Sequence, residues 1–181
     1  MSQRISKFLS LVLRHKPDTI GLNLDKNGWA DIEELLSLAR ENAKIDLDYG
    51  TLAQVVAQSD KQRFKISPDG QKIRANQGHS ISVDLELSQS IPPDVLFHGT
   101  ASRFLENIRV PGLKAMQRNY VHLSASRETA QVVGRRHGSP VAILVVDSRS
   151  MVADGYRFFR SDNGVWLTSD VPASYIKFPD A

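Results

Sequence analysis

The stretch that decides the reading of this chain is Val95-Leu96-Phe97-His98-Gly99-Thr100, an apolar run that stops at a histidine, a glycine and a hydroxyl. Three apolar residues suffice for a short buried strand. A glycine just past it lets another molecule approach the backbone closely, so the stretch reads as the floor of a ligand slot. An ordinary strand-to-helix turn explains the same residues, with Thr100 as N-cap and Gly99 relieving strain, and taken alone the triplet favours that turn. Two further pieces shift the balance. Val121-His122-Leu123-Ser124 again sets a histidine and a hydroxyl beside apolar residues, and Val165-Trp166-Leu167-Thr168 follows a turn at Asp162-Asn163-Gly164.

Working outward, Phe104, Leu105 and Ile108 suit a short helix that Pro111-Gly112 ends, and Ser126 caps a helix running to Val133 with Gly134 as its stop. Val141 to Val146 is apolar on both faces and therefore a central strand. Tyr156 to Phe159 and Val165 to Thr168 give two more strands around the Asn163-Gly164 turn. Strands outnumber helices here, so this half is a small α+β sheet lobe. It carries neither GxGxxG nor a Walker lysine motif, which places any nucleotide outside the Rossmann and P-loop schemes.

The first half is different. Ser2 can cap a helix whose Ile5, Phe8, Leu9, Val12 and Leu13 form a continuous apolar stripe ending before Pro17. Its last turn, Arg14-His15-Lys16, taken alone is explained by the helix dipole, at a few tenths to ~1 kcal/mol per cation, better than by an anion site. After a short extended piece, Ile20 to Leu24, the turn Asp25-Lys26-Asn27-Gly28 leads to Trp29. Asp31 caps a helix carrying Ile32, Leu35, Leu36 and Ala39, and Asp48 caps another with Leu52, Val55 and Val56. Lys61 to Ile66 alternates cation and core, Ser67-Pro68-Asp69-Gly70 turns, and Lys72-Ile73-Arg74-Ala75 returns with the same alternation. Three helices followed by a basic hairpin is the pattern of a winged helix. The polar pentad Asn76-Gln77-Gly78-His79-Ser80 follows, and Ile81, Val83, Leu85 and Leu87 then alternate as in a half-buried strand. Ile91-Pro92-Pro93, rigid and helix-hostile, marks the lobe boundary, giving lobes over residues 1–90 and 91–181.

Composition bounds the function. The 181 residues are 41% hydrophobic and 24% charged, ordinary for a globular protein that folds without staples. With no cysteine there is no disulfide, thiolate metal site or cysteine nucleophile, and five scattered histidines give no zinc spacing, so no metal is expected. No apolar run approaches membrane-spanning length and the N-terminus does not read as a secretory signal, which predicts a cytoplasmic enzyme or binding protein, without membrane contact and monomeric. The net charge is only +3, yet Lys61 to Arg74 holds five basic residues against Asp69 alone, and Arg103 to Arg136 holds seven against Glu106 and Glu128. A solvated basic face would account for such clusters; a phosphate-bearing partner accounts for them better.

Together, Leu13-Arg14-His15-Lys16, Arg74-Ala75-Asn76-Gln77-Gly78-His79-Ser80, Leu96-Phe97-His98-Gly99-Thr100, Arg118-Asn119-Tyr120-Val121-His122-Leu123-Ser124 and Asn163-Gly164-Val165-Trp166-Leu167-Thr168 resemble the NAD-dependent RNA (tRNA) 2′-phosphotransferase family, in order and over nearly the whole chain. The resemblance implies an α+β protein with an N-terminal winged-helix RNA lobe and a C-terminal ADP-ribosyltransferase-like lobe. It implies that an internal RNA 2′-phosphate attacks C1″ of the nicotinamide ribose of NAD, expelling nicotinamide. The ribose O2″ then attacks phosphorus, releasing 2′-OH RNA and ADP-ribose 1″,2″-cyclic phosphate.

Similarity assigns catalysis to Arg14, His15, Arg63 and Arg118. Such a cationic set fits phosphoryl transfer, which needs positioning and neutralisation of spreading negative charge. The family pattern puts His98 on a cofactor ribose hydroxyl, the Gly99 backbone on the nicotinamide carboxamide with Thr100 close by, and His122 and Ser124 at the nicotinamide-ribose end. Lys16, Lys65, Arg74 and His79 are the expected RNA-phosphate contacts. Val165 resembles the position at which many protein ADP-ribosyltransferases carry a glutamate, and an apolar residue there leaves O2″ available for the second step. Tyr120 departs from the pattern, which has a histidine there. Two other readings fit the same residues: an ADP-ribosyltransferase acting on nucleic-acid ends or protein, and a non-enzymatic winged-helix regulator.

Overall fold

The computed structural model describes residues 2–59 and 61–179, Ser2 by its backbone alone, so the capping role expected of the Ser2 side chain lies outside the described residues. The chain divides into two units, Met1–Glu86 and Leu87–Ala181. Each is mixed α and β with small antiparallel sheets. No described helix is long and apolar enough to cross a membrane.

In the first unit the apolar stripe folds as α1 (Ser2–Arg14), which buries Ile5, Leu9, Val12 and Leu13. The helix stops two residues earlier than the cation run suggests. The amides of both His15 and Lys16 donate to the Leu11 carbonyl, so those two residues form its closing turn, and a 3-10 turn follows at Pro17–Thr19. Strand β1 (Ala30–Asp31) leads directly into α2 (Ile32–Ala43), whose N-cap Asp31 accepts from the Glu34 amide. Asp48 does the same for Thr51 at the start of α3 (Tyr49–Ala57). The basic hairpin forms β2 (Phe64–Ile66) and β3 (Lys72–Ala75) around the Ser67–Gly70 turn, and β3 lies between β1 and β2. Phe64 and Ile73 join the helix stripes in one buried cluster.

The strand expected at Ile81 to Leu87 does not form. The segment alternates as a strand should, but its backbone bonds go to the Asp25–Gly28 turn instead: the Asp84 amide donates to the Lys26 carbonyl and Asn27 Nδ2 donates to the Asp84 carbonyl. Glu86 then adopts a left-handed φ of 53°, which a strand does not tolerate.

The second unit comprises β4 (Leu96–Ala101), α4 (Leu105–Arg109), β5 (Val121–Leu123), α5 (Arg127–Gly134), β6 (Val141–Val146), α6 (Ser148–Ala153), β7 (Phe158–Arg160), β8 (Trp166–Thr168) and β9 (Ile176–Lys177). Two antiparallel sheets, ordered β4-β6-β9 and β5-β8-β7, meet where Phe97 and Ser124 exchange backbone hydrogen bonds of 2.8 Å in both directions. Strand β6 is central as expected. Strand β4, however, runs on through His98, Gly99 and Thr100 rather than stopping there.

That continuation changes the reading of Gly99. A Cβ at this position would lie 1.8 Å from the Ala130 carbonyl oxygen, and one on Gly134 would lie 2.5 Å from Val141 and 3.1 Å from the Gly99 carbonyl carbon. What approaches the glycine is helix α5, pressed onto the sheet through two glycines that leave no room for a side chain.

Candidate functional site

In the first unit the polar groups gather where α1 ends. The Ser80 amide donates to the Arg14 carbonyl at 2.9 Å, and His15 Nδ1 lies 2.9 Å from the Ser80 hydroxyl, so the pentad after the hairpin is tied to the Arg14-His15 corner. Gly78 takes a φ of +89°, and a Cβ there would stand 3.6 Å from the Arg14 guanidinium carbon. Arg63, just before β2, joins the same neighbourhood through its carbonyl, which accepts from the Asn76 amide at 2.9 Å. His15 and Arg63 then line one groove of about 380 Å³ along α1.

Beneath this corner lies a buried polar cluster. His79 is only 2% exposed, and neither ring nitrogen has a hydrogen-bond partner among the described residues. Burial first, then the charges of Arg14, His15 and Arg74, push its pKa down to about 4, so the imidazole is neutral at pH 7. Arg74 stacks its guanidinium 4.6 Å over the Trp29 ring, and its Nε is buried without a partner. Asn76 is 6% exposed, donates to the Gln62 carbonyl, and keeps an unpartnered Oδ1. Lys16 and Lys65 stay exposed, Lys65 directly across the ladder from Arg74. A collection of donors with this charge takes an oxyanion well, since charge-assisted hydrogen bonds to phosphate are about twice as strong as neutral ones.

In the second unit the candidates ride on strands. Val121 and Leu123 are buried, so alternation turns His122 to the opposite face of β5. From β4, His98 Nδ1 lies 3.1 Å from the His122 carbonyl oxygen. A carbonyl only accepts, so Nδ1 carries the proton. Burial lowers the His98 pKa, against the raising effect of that bond, and the neutral ring keeps Nε2 as an acceptor. Arg118 Nη1 lies 3.3 Å from His122 Nδ1; a guanidinium only donates, which leaves Nε2 of His122 as its proton-bearing nitrogen. An acceptor imidazole, a donor imidazole and the half-buried Ser124 form a set suited to ribose hydroxyls. Thr100 is 5% exposed within β4, and the N-cap of the 3-10 turn that follows is Ala101 rather than Thr100; Val165 is half-buried just before β8, where its amide and carbonyl bond Ser161.

Three contributors escaped the sequence reading. Ser80 as the partner of His15 and Trp29 as the platform for Arg74 come from residues 65 and 45 positions away, with no local signal. Arg127, counted only within a basic run, sits in the first turn of α5 with its guanidinium 5.2 Å over the Phe97 ring. No group of three or more His, Cys, Asp or Glu among the described residues could hold a metal.

Comparison with known proteins gives a consistent result. Residues 1–170 match the family described as "RNA 2'-phosphotransferase, Tpt1 / KptA family". The chain is 56% identical to a "Probable RNA 2'-phosphotransferase" of Acaryochloris marina over 94% of its own length and 93% of that protein's. A protein of the same description from Agrobacterium fabrum is 56% identical, covering 97% of this chain and 94% of the relative. Another from Flavobacterium johnsoniae is 51% identical at 98% and 97% coverage.

Proposed function

The chain belongs to the RNA 2′-phosphotransferase, Tpt1 / KptA family, an enzyme that removes the 2′-phosphate from RNA, and from that premise we propose which of its residues do the work and with what co-substrate. The acceptor of the phosphate is NAD, consumed in the reaction. The first unit, with three helices and an antiparallel hairpin, is a winged helix that presents RNA; the second is an ADP-ribosyltransferase-like lobe that presents NAD. The protein works in the cytoplasm.

The observation that carries this reading is the Arg14-His15-Arg63 neighbourhood, in which residues distant in sequence are tied together by Ser80 and Asn76, His15 and Arg63 lining one groove. Arg14 and Arg63 bind RNA phosphate oxygens and neutralise charge that spreads as the phosphoryl group moves, and Arg118, beside His122 in the second unit, is the remaining cation we assign to catalysis. Lys16, Lys65 and Arg74 hold the neighbouring RNA phosphates, and His79 supports them from below as a neutral ring. His98, His122 and Ser124 orient the nicotinamide ribose, with the Gly99 backbone and Thr100 at the nicotinamide end. Bound NAD supplies an electrophilic C1″ to the RNA phosphate and afterwards an O2″ nucleophile to phosphorus, so the products are 2′-OH RNA, nicotinamide and ADP-ribose 1″,2″-cyclic phosphate. His15, oriented through Nδ1 by Ser80, carries the proton that O2″ loses to the departing RNA 2′-oxygen. Val165 offers no carboxylate to occupy O2″.

The test is incubation of the protein with NAD and an oligoribonucleotide bearing one internal 2′-phosphate. Loss of that phosphate with release of nicotinamide and the cyclic phosphate is expected; a stable ADP-ribosyl adduct, or dephosphorylation without NAD, refutes the scheme.

A further inference from the structure

The groove of about 380 Å³ in the first unit extends well beyond the two residues assigned to catalysis. Its inner end is His15 and Arg63; its length is the outward face of α1, contributed by Ser6, Lys7, Ser10 and Leu11. Helical geometry explains this. With Ile5, Leu9, Val12 and Leu13 turned into the core, a rotation of 100° per residue puts Lys7, Ser10, Leu11 and Arg14 on one opposite stripe, with Lys7 ~10 Å along the axis from Arg14.

Three features say what would lie there. The groove volume falls within the range of about 300–1,000 Å³ that holds a ligand of nucleotide size. Its basic members among the described residues are Lys7, His15 and Arg63, with no carboxylate among them. Leu11 is 38% exposed amid these polar groups, an apolar surface that a nucleobase can cover. The groove is also continuous with the place proposed for the 2′-phosphate, so a strand held by its phosphate at one end must leave along some surface, and this one is basic and roomy.

We propose that the α1 groove is an RNA subsite for a nucleotide flanking the 2′-phosphorylated one, with Lys7 on its backbone phosphate, Leu11 against its base, and the Ser6 and Ser10 hydroxyls on its sugar. This rests on the reaction proposed above. It assigns the enzyme a preference for a phosphate embedded in a strand over the same phosphate on a lone nucleotide.

The experiment compares an internally 2′-phosphorylated hexaribonucleotide with a nucleoside 2′-phosphate as phosphate donors to NAD, in the wild-type protein and in Lys7→Ala and Leu11→Ala. Both positions are on the helix surface, and thermal melts control for folding. Each substitution should raise the ratio of hexamer KM to mononucleotide KM several-fold, the effect falling on KM rather than kcat. For Lys7→Ala the slope of log KM against log salt on the hexamer should shrink by about 0.7, one phosphate contact on a single strand. Equal penalties on the two substrates, or an unchanged hexamer KM, overturn the subsite while leaving the reaction intact. A wild-type protein that turns over neither substrate removes the reaction itself, and the subsite with it.

Discussion

In the first unit the cation Arg74 and the neutral ring of His79 are sunk beside the end of a helix with polar atoms unpartnered, whereas in the second His98, Thr100 and His122 sit on strands whose backbones are hydrogen-bonded. The buried clusters of the two units share no residue. The contrast separates two ways of building a site. A strand-borne site is positioned by the sheet, and its geometry is set before any ligand arrives. The corner at Arg14-His15 is positioned by a loop, and its cations surround a ring that burial keeps uncharged, so it stores electrostatic potential that a bound anion relieves.

If that contrast is right, the second unit is the more sensitive to shape and the first to charge. The largest effect is then expected from Gly99→Ala. The added methyl would meet the Ala130 carbonyl at 1.8 Å, and backbone cannot swing aside as a side chain can. Overpacking of this kind should cost ~3 kcal/mol or more, lowering the melting temperature by roughly 6–12 °C in a chain of this size. A melting point within a degree of wild type would show that α5 does not press on the sheet at this glycine. Arg63→Ala comes next and tests charge alone. Its backbone bond to Asn76 survives, so the fold should hold, while loss of a contact made chiefly in the transition state should slow dephosphorylation about a hundredfold, ~3 kcal/mol. Near-normal turnover would remove Arg63 from the mechanism.

How far the sequence foretold these features follows from how local each one is. The α1 stripe and the caps at Asp31, Asp48 and Ser126 depend on residues within a turn of one another, and they form as read. The strand expected at 81–87 alternates properly, but alternation says only which faces differ, not which backbone supplies the hydrogen bonds, and here the Lys26-Asn27 turn does. At Gly99 a sequence shows the missing side chain without showing that α5 fills the space it leaves. Strands β1 and β9 are two residues each, too short for any period, and α6 went unread although Asp147 caps it by accepting from the Ser150 amide. The grouping of Arg14, His15 and Arg63 came from resemblance rather than from spacing. The burial of His79 could come from neither, since the residues around it, Gly28 and the cations Arg14 and Arg74 among them, are scattered along the chain and leave no local pattern.

The buried His79 makes the stability of the first unit depend on pH. In the unfolded chain its imidazole takes up a proton near pH 6.5, but in the folded protein only near about 4. Between those values the unfolded state binds more protons, so the folded state keeps its full advantage above pH 6.5 and loses it as pH falls toward 4. The loss from this group is at most ~3 kcal/mol. Urea midpoints at pH 7.5 and 4.5 should therefore separate more for the wild type than for His79→Gln, which has nothing to titrate at that site. Parallel curves for the two proteins would mean that the ring is not held neutral, and that the first unit does not concentrate charge around it.

The smallest effect addresses whether the units are independent bodies of stability. Asp31→Ala removes the acceptor for the Glu34 amide at the start of α2, and Ser126→Ala removes the acceptor for the Thr129 amide at the start of α5. Each should cost ~1 kcal/mol, the usual worth of an N-cap side chain. Because the two buried clusters have no member in common, the loss of amide-exchange protection should stay within the unit that carries the substitution. Protection lost equally across both units would mean that they unfold as one cooperative body, and the division of labour between a charge-sensitive corner and a shape-sensitive sheet would then be chemical only, without a counterpart in stability.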